Sequence, residues 1–359
     1  METFKSLCNW AANPAIFITL SFATFLLFTS KLRFMTRPMV MGVFALLVAL
    51  FFVVAAQDHN FRLIISKGDN MPIVIMIFSI MGSLWLALRQ ASVNDMRIER
   101  GEPPMEALDS NKKVLVWPDL IFSEFIVTIL LSAIFIWWAI KVEAPIEEPA
   151  SGTRAPNPAK APWYFLGLQE MLVYYDPWYA GVLLPTFILI GLMAIPYIDT
   201  NPKGNGYYTF KERRFAISMF LFGFLVLWVT LIILGTFLRG PNWNFFGPFD
   251  FWDPHKVEPL VNVNLSEYFW VRGLGTRLPE NPLIRELPGI VLCLGYLVIL
   301  PGLLAKTLFK KLFNEMGFAR YSVLSMLLLF MATLPIKMLL RWFFNLKYFV
   351  SMPEFFFNI

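Results

Sequence analysis

The sequence predicts an all-α fold, a polytopic transmembrane helix bundle with about eight spans. Of the 359 residues, 57% are hydrophobic and only 15% are charged, whereas a soluble domain carries about a quarter charged residues. The mean hydropathy is +0.61. A bilayer core needs roughly 20 consecutive apolar residues per helix, and the chain supplies such runs repeatedly. These observations indicate an integral membrane protein.

The apolar runs predict the positions of the individual spans. They lie near 14–31, 38–56, 71–89, 120–141, 179–198, 215–238, 288–305 and 322–340. The stretch before the first run has no basic region leading straight into it, and no small-residue cleavage pattern follows. We therefore expect the first run to be a retained span rather than a signal peptide.

Basic residues collect in alternate loops. They are Lys31, Arg33 and Arg37; Arg89, Arg97, Arg100, Lys112 and Lys113; Lys203, Lys211, Arg213 and Arg214; and Lys306, Lys310, Lys311 and Arg320. Since basic loops stay in the cytoplasm, this pattern predicts that both termini face outward. The net charge of +5 is attributed to these loops and not to nucleic-acid binding.

Composition divides the chain into five regions. They are a three-span module (1–89), a polar cytoplasmic linker (90–119), a second three-span module with a polar outward loop (120–240), an aromatic outward segment (241–287), and two further spans with a C-terminal tail (288–359). The linker is predicted to be a surface segment. The aromatic segment is predicted to be a folded cap that docks an extrinsic electron carrier or iron-sulfur subunit, or alternatively a plain interfacial lid.

Histidines and cysteines are too few for a metal or haem site. Cys8 and Cys293 are far apart and lack the spacing of a zinc site, a covalent haem attachment or a disulfide framework. His59 and His255 both fall in predicted outward loops. A haem b needs two axial histidines inside the bundle, so any haem must belong to a partner subunit.

The middle of the chain carries a series of motifs in a fixed order. They are Trp-Pro-Asp-Leu (117–120), an acidic Pro-rich loop (141–150), Ala-Pro-Trp-Tyr-Phe (161–165), Pro-Tyr-Ile-Asp (196–199) and Lys-Glu-Arg-Arg (211–214). Over residues 117–240 this order resembles the C-terminal half of cytochrome b, most closely the separate subunit IV of cytochrome bf complexes. It is also similar to the split cytochrome b of bacterial menaquinol:cytochrome c oxidoreductases.

The resemblance implies a quinol-oxidation site at residues 161–164. Pro162, Trp163 and Tyr164 would then bind quinol. The family signature is Pro-Glu-Trp-Tyr, and its Glu is assigned the role of accepting a quinol proton. Here the signature is Ala-Pro-Trp-Tyr, a form that resembles complexes using low-potential menaquinol.

Glu170 is the predicted substitute for the missing acid. On a helix beginning at Trp163, it lies seven residues on, two turns along and on nearly the same face. A carboxylate at a desolvated membrane edge has a raised pKa and suits proton exchange. Tyr164 and Asp176 are the other local candidates. The alternative is that Glu170 only caps the helix or pairs with Lys160.

Other aromatic and charged residues have simpler interpretations. Tyr174, Tyr175, Trp178 and Tyr179 are expected to form an interfacial aromatic belt. Two charged residues lie within predicted spans, Glu124 near the cytoplasmic edge and Lys337 near the outward end. Both are expected to extend to the membrane surface. The prolines at 185, 196, 301 and 335 are expected at kinks or helix ends.

The resemblance implies a haem-free subunit that completes the outward quinol site of a cytochrome bc-type complex. Quinol would be the shared substrate, with haem b and a 2Fe-2S cluster in partner subunits: a haem-bearing cytochrome b, a Rieske-type protein and a cytochrome c-type subunit. We expect a dimeric complex in a bacterial inner, or equivalent energy-transducing, membrane. The alternatives are a structural anchor of a respiratory assembly without its own quinol site, and a transporter, which the lack of an internal repeat disfavours.

Overall fold

The structure is a computed structural model that describes residues 1–144, 146, 149–201 and 207–359. The acidic Pro-rich loop is therefore described only in part. Its residues 145, 147 and 148, and Lys203 of the third basic loop, lie outside the described residues.

The described chain folds almost entirely as helices. They are α1 (Glu2–Ala12), α2 (Pro14–Ser30), α3 (Leu32–Met35), α4 (Pro38–Ala55), α5 (His59–Ile65), α6 (Asn70–Glu99), α7 (Met105–Asp109), α8 (Val116–Lys141), α9 (Trp163–Met171), α10 (Tyr179–Ile198), α11 (Arg214–Leu238), α12 (Glu267–Gly273), α13 (Pro282–Arg285), α14 (Leu287–Lys306) and α15 (Lys310–Phe344). Near the C-terminus, β1 (Ser351–Met352) pairs antiparallel with β2 (Phe357–Asn358).

The predicted all-α polytopic bundle is confirmed. In the described part of the chain, seven helices are long and apolar enough to cross a membrane: α4, α6, α8, α10, α11, α14 and α15. The number rises to eight if α1 and α2, which meet at an angle of 81°, form one broken span. Pro14 follows the bend at Asn13, whose side chain accepts a hydrogen bond from the Ala15 N–H.

Two proline residues within spans follow π-helical turns. In α10 the turn Tyr179–Leu183 ends two residues before Pro185, and in α14 the turn Gly295–Ile299 ends two residues before Pro301. A proline lacks the N–H that closes a normal helical turn and crowds the preceding carbonyl. A local π-helical turn relieves that conflict while the span continues.

The four basic loops meet at one end of the bundle. Arg33 and Lys211 both bind Glu99, the Arg89 guanidinium donates to the Thr36 carbonyl at 2.9 Å, and Phe215 contacts Phe309. Helix α6 continues without a break to Glu99, through the first ten residues of the segment predicted to be a polar linker.

Asn94 explains why α6 continues into the predicted linker. This side chain is fully buried. It donates to Glu106 at 2.7 Å and to the Tyr208 carbonyl at 2.9 Å, and it accepts from the Met105 N–H at 3.0 Å. Since a buried amide must be hydrogen-bonded, these contacts hold the polar end of α6 against the loop before α11.

The opposite end of the bundle, called here the cap end, contains both termini and residues 239–286. Asn9 of α1 donates to Asp250 at 2.6 Å, and Asn60 of α5 donates to the Phe249 carbonyl at 3.2 Å. The C-terminal tail (345–359) lies there too, since Lys347 donates to the carbonyls of Leu172 and Val173 at 3.1 Å. The predicted cap is thus a packed segment of the fold.

The largest hydrophobic cluster lies near the cap end, between α2, α6, α9, α10, α11 and α15. Beside this cluster, Gly235 of α11 allows a close approach to α9, because a Cβ there would lie 2.9 Å from Cγ of Leu166. Tyr174, Tyr175 and Tyr179 are buried in this cluster. The interfacial-belt interpretation is therefore wrong for these three tyrosines.

Lys337 does not extend to the membrane surface as predicted. Its side chain is 1% exposed, and Nζ donates to the Lys347 carbonyl at 2.6 Å. Three rings surround it, those of Tyr175, Tyr348 and Phe349, with centroids 4.8 to 5.7 Å from Nζ. Aromatic faces attract a cation, which offsets part of the cost of burial. Glu124, in contrast, is exposed on α8.

The C-terminal tail depends on a glycine of α14. A Cβ on Gly289 would lie 1.8 Å from the Phe349 carbonyl oxygen, a backbone atom that cannot move aside alone. We expect Gly289→Ala to lower stability by about 1–3 kcal/mol through overpacking and to expose the tail to protease. Limited proteolysis and thermal unfolding of the purified protein measure both effects. Gly295→Ala is the matched control, since a Cβ there meets nothing within 4 Å; equal effects of the two changes would contradict the assignment.

Candidate functional site

The signature segment enters α9 through a fixed loop. Pro162 directly precedes the first helical residue and has an extended ψ of 147°. Since proline lacks the N–H that the interior of a helix requires, the helix begins after it. The Gln169 side chain reaches back across the first turns. It accepts from the Ala161 N–H and donates to the Ala159 carbonyl, both at 2.7 Å. The backbone around Pro162 therefore follows one defined path.

Glu170 forms a buried ion pair with Arg239. The Arg239 guanidinium donates to Oε1 at 2.7 Å through Nη2 and to Oε2 at 3.0 Å through Nε. Glu170 is fully buried and the Arg239 side chain is 12% exposed. Burial disfavours the charge of Arg239, but Glu170 outweighs it, so the pKa of Arg239 lies above its usual value. The two-pronged geometry is the strongest form of such a pair.

Arg239 also organises the beginning of the cap. It follows α11 directly, and its Nη1 donates to the Trp243 carbonyl at 3.0 Å. The backbone then turns through Asn242, which has a left-handed φ of 56°. Asn242 is tied to the signature loop, since Asn157 accepts from its N–H at 2.6 Å and donates to its Oδ1 at 2.9 Å. The ion pair and this asparagine pair together join the cap to α9.

A wide cleft of about 1500 Å³ lies where the signature loop, the α5–α6 connection and the cap meet. Its lining includes Pro162, Trp163, Lys67, Asn70 and Trp252. The mixture of indole, amide, carbonyl and charged groups suits a ligand with both ring and polar surface.

Trp163 connects this cleft to a second, apolar crevice. The crevice has a volume of about 180 Å³ and lies between α6 and α11. Its other lining residues are Met76, Ile77, Ile80, Met81, Phe224, Leu225, Trp228, Val229 and Ile232. The indole of Trp163 is thus shared by a polar cleft and an apolar crevice. A molecule with a polar ring and a hydrocarbon chain fits this pair of cavities.

Lys160 lines the cleft two residues before Pro162. Its Nζ donates to the Thr236 carbonyl at 2.9 Å and lies 5.0 Å from the Trp252 ring centroid. Burial lowers the pKa of Lys160 to about 8, and the nearby charge of Lys67 acts in the same direction. The side chain therefore changes charge close to neutral pH.

The structure separates the predicted site residues. Pro162 and Trp163 line the cleft, while Tyr164 lies beside it, with its ring centroid 5.6 Å from that of Trp163. Glu170 lies behind them, on Arg239 and not on Lys160. Asp176 accepts from Asn358 of the tail at 3.1 Å. Neither structure nor sequence tests the proton-accepting role of Glu170, which stays a prediction.

The sequence did not predict that Thr236, Arg239 and Trp252 belong to this region, and it indicated Lys160 only as a possible partner of Glu170. Lys160 carried a usable signal, a single cation within the aromatic signature segment. Arg239 carried another, because a charge placed directly after a span needs a partner or water. Thr236 and Trp252 reach the cleft only through tertiary packing, and nothing in the local sequence indicates it.

Metal-ligating residues do not converge in the part of the chain that the structure describes. No group of three or more His, Cys, Asp or Glu side chains there could hold a metal ion. His59 and His255 are both exposed at the cap end. The residues present therefore do not fit a haem with two axial histidines.

Fold and cavities together define a polytopic membrane protein with an amphipathic ligand cleft at one end of its bundle. The family model described as cytochrome b (C-terminal)/b6/petD matches residues 149–247. Over this segment the chain is similar to the C-terminal part of cytochrome b. No solved structure gives a significant match.

The family match covers a different segment from the predicted resemblance of 117–240. It begins after α8 and leaves out the Trp-Pro-Asp-Leu motif, and it extends into the cap as far as Gly247.

Breaking the buried ion pair tests its structural role. We expect Glu170→Gln to lower stability by about 3–5 kcal/mol, because Arg239 would remain buried without its counter-charge. The double change Glu170→Leu with Arg239→Met is expected to recover most of the loss, since it removes both charges. Thermal unfolding of the purified protein in detergent measures these effects.

The control for this pair is Asp199→Asn. Asp199 pairs with Arg213 at 2.6 Å, but both side chains are about a third exposed, so the expected loss is below about 1 kcal/mol. A Glu170→Gln protein as stable as the control would contradict the structural role of the ion pair.

Proposed function

We propose that this chain is a haem-free membrane subunit that completes the outward quinol-oxidation site of a cytochrome bc-type complex. The observation that carries the proposal is the position of Trp163 between the polar cleft and the apolar crevice. The quinol ring would lie in the cleft against Pro162 and Trp163, and its hydrocarbon tail in the crevice between α6 and α11.

The division of labour follows from the residues present. Haem b and an iron-sulfur cluster, held by partner subunits, would supply the one-electron chemistry. This chain would bind the ring, orient it and provide a route for protons to the outer surface. A bacterial inner, or equivalent, membrane is the proposed location, and low-potential menaquinol is the proposed substrate because of the Ala-Pro-Trp-Tyr signature.

The exposure of helix α8 supports the presence of a neighbouring subunit. None of the residues Val116–Lys141 is buried within this chain, although a span in a folded bundle normally packs on other helices. Its exposed surface includes Glu124, a charge that is costly to leave facing lipid. A partner subunit that covers α8 would bury this surface and bring its cofactors next to the signature loop.

The alternative function is a structural anchor without a quinol site. Such an anchor would still contact a partner subunit but would bind no quinol. It predicts that the two cavities bind no quinone in the assembled complex. Labelling with a photoreactive quinone therefore distinguishes the two functions.

The decisive measurement uses native membranes containing the assembled complex and a short-chain azidonaphthoquinone. After illumination, we expect labelled peptides from residues 157–166 and from residues 76–81, competed by unlabelled naphthoquinone. Trp163→Ala is expected to reduce this labelling about tenfold, which corresponds to about 1.4 kcal/mol of binding energy. Trp10→Ala is the control, since it removes an exposed indole away from the cleft. Absence of competable labelling on this chain would overturn the proposed site.

A further inference from the structure

Among the residues that the structure describes, few groups of the cleft could accept a proton. The described ionisable side chains along its wall are Lys67, Asp69, Arg154, Lys160 and Asp250. Lys67 and Asp69 pair with one another at 3.2 Å and are about half exposed. Asp250 accepts from Asn9 at 2.6 Å and from the Gly247 N–H at 2.7 Å. The guanidinium of Arg154 is charged at all relevant pH values and cannot accept a proton.

Lys160 differs from these groups in its surroundings. It lies directly before the signature and is partly buried, and no carboxylate of the described residues lies within ion-pair distance of it. Among the described residues its amine makes one hydrogen bond, to the Thr236 carbonyl, so its other N–H groups or lone pair can face the cleft. The wall at this point is otherwise formed by Ala161, Pro162 and Trp163.

Two further polar atoms lie close to Lys160 without partners. Oγ1 of Thr236 and Nε1 of Trp252 are buried and have no hydrogen-bond partner among the described residues. Both residues line the cleft, and both contact Lys160, one through its carbonyl and one through its ring. Buried donors without partners are rare in folded proteins, and a ligand oxygen in the cleft would satisfy them.

We propose that Lys160 is the group that accepts the first proton of the bound quinol. The inference rests on the proposed function. The neutral amine takes a proton from one quinol hydroxyl, so that quinol and amine become quinolate and ammonium. Two one-electron acceptors in partner subunits, an iron-sulfur cluster and a haem, would take up the two electrons of the quinolate. It loses its remaining proton to water in the open cleft and leaves as quinone.

The electrostatic surroundings suit this role. The pKa of Lys160 is lowered to about 8, mainly by burial and also by the charges of Lys67 and Arg239, whereas Asp69 and Glu170 oppose this shift. At pH 7 about one amine in ten is then neutral. A proton acceptor works best with a pKa near the working pH, because it must both take up and release the proton. The cleft also provides the route by which Lys160 returns its proton to the outside.

The geometry also distinguishes Lys160 from Glu170. Both carboxylate oxygens of Glu170 are engaged by Arg239, and Glu170 is fully buried. It is absent from the cleft lining. To accept a quinol proton, Glu170 would have to leave Arg239 unpaired in the interior. Lys160 meets the quinol without breaking an ion pair.

The test is the pH profile of naphthoquinol oxidation by membranes containing the assembled complex, with the rate of membranes lacking this chain subtracted. In the wild type we expect the rate to rise with pH, up to tenfold per pH unit below about 8, and to level off above it. Lys160→Met is expected to lower the rate at least tenfold at pH 8 and to abolish this rise. Lys160→Arg, which keeps the charge but cannot release a proton, is expected to behave in the same way.

Lys256→Met is the matched control. Lys256 also donates to a backbone carbonyl, that of Phe245 at 2.8 Å, and lies 4.7 Å from the ring centroid of Phe246, but it does not line the cleft. It is expected to keep the wild-type profile. Azidonaphthoquinone labelling of each variant shows whether the cleft is still folded and occupied.

Two outcomes would overturn the role of Lys160. One is a wild-type pH profile in labelled Lys160→Met membranes, and the other is a wild-type rate in Lys160→Arg, which would indicate a need for charge alone. Either result leaves the proposed function intact, because quinol is still bound and oxidised. The loss of labelling and oxidation in all proteins, the wild type included, would instead refute the proposed function.

Discussion

The buried pair of Glu170 and Arg239 is the interaction on which the candidate site depends. It joins α9 to the residue that follows α11, and so sets the distance between the signature helix and the cap. A charge pair hidden from water gains little net stability over an apolar pair, but it tolerates only one geometry. The cleft lies in front of this pair, with the signature loop on one side and the cap on the other. Its shape is therefore a consequence of how the two charges meet.

A second set of contacts fixes the segment after α9. The C-terminal tail binds there through Lys347 and Asn358, and α15 contributes Thr333, which hydrogen-bonds to Tyr175 at 2.8 Å. The N-terminal helices close the other side through Asn9 and Asn60. The spans that lie outside the matched segment thus serve as its support. This gives a physical role to the first three spans.

Much of the fold could be predicted from the sequence, because a lipid-facing helix is recognisable from the apolar residues of its own segment. The spans and the grouping of basic loops follow directly from apolar runs and from lysine and arginine positions. The burial of Tyr174, Tyr175 and Lys337 could not be predicted, since an aromatic residue near the end of a span looks the same in a lipid belt and in a core. The partner of Glu170 was equally hidden, because Arg239 is 69 residues away in the chain. Local spacing favoured Lys160, and only the path of the backbone at the end of α11 decided the pairing.

Because α8 is exposed within its own chain, its surroundings determine when the candidate site reaches its final shape. The outer wall of the cleft is built from residues that directly follow α8, among them Ile146, Pro149 and Arg154. A helix without neighbours in its own chain takes its tilt and rotation from whatever it meets in the bilayer. The wall would therefore acquire its final position only on assembly. If the chain has the proposed function, an unassembled copy would hold quinol poorly, which would protect the membrane from quinol oxidation without a proper electron acceptor.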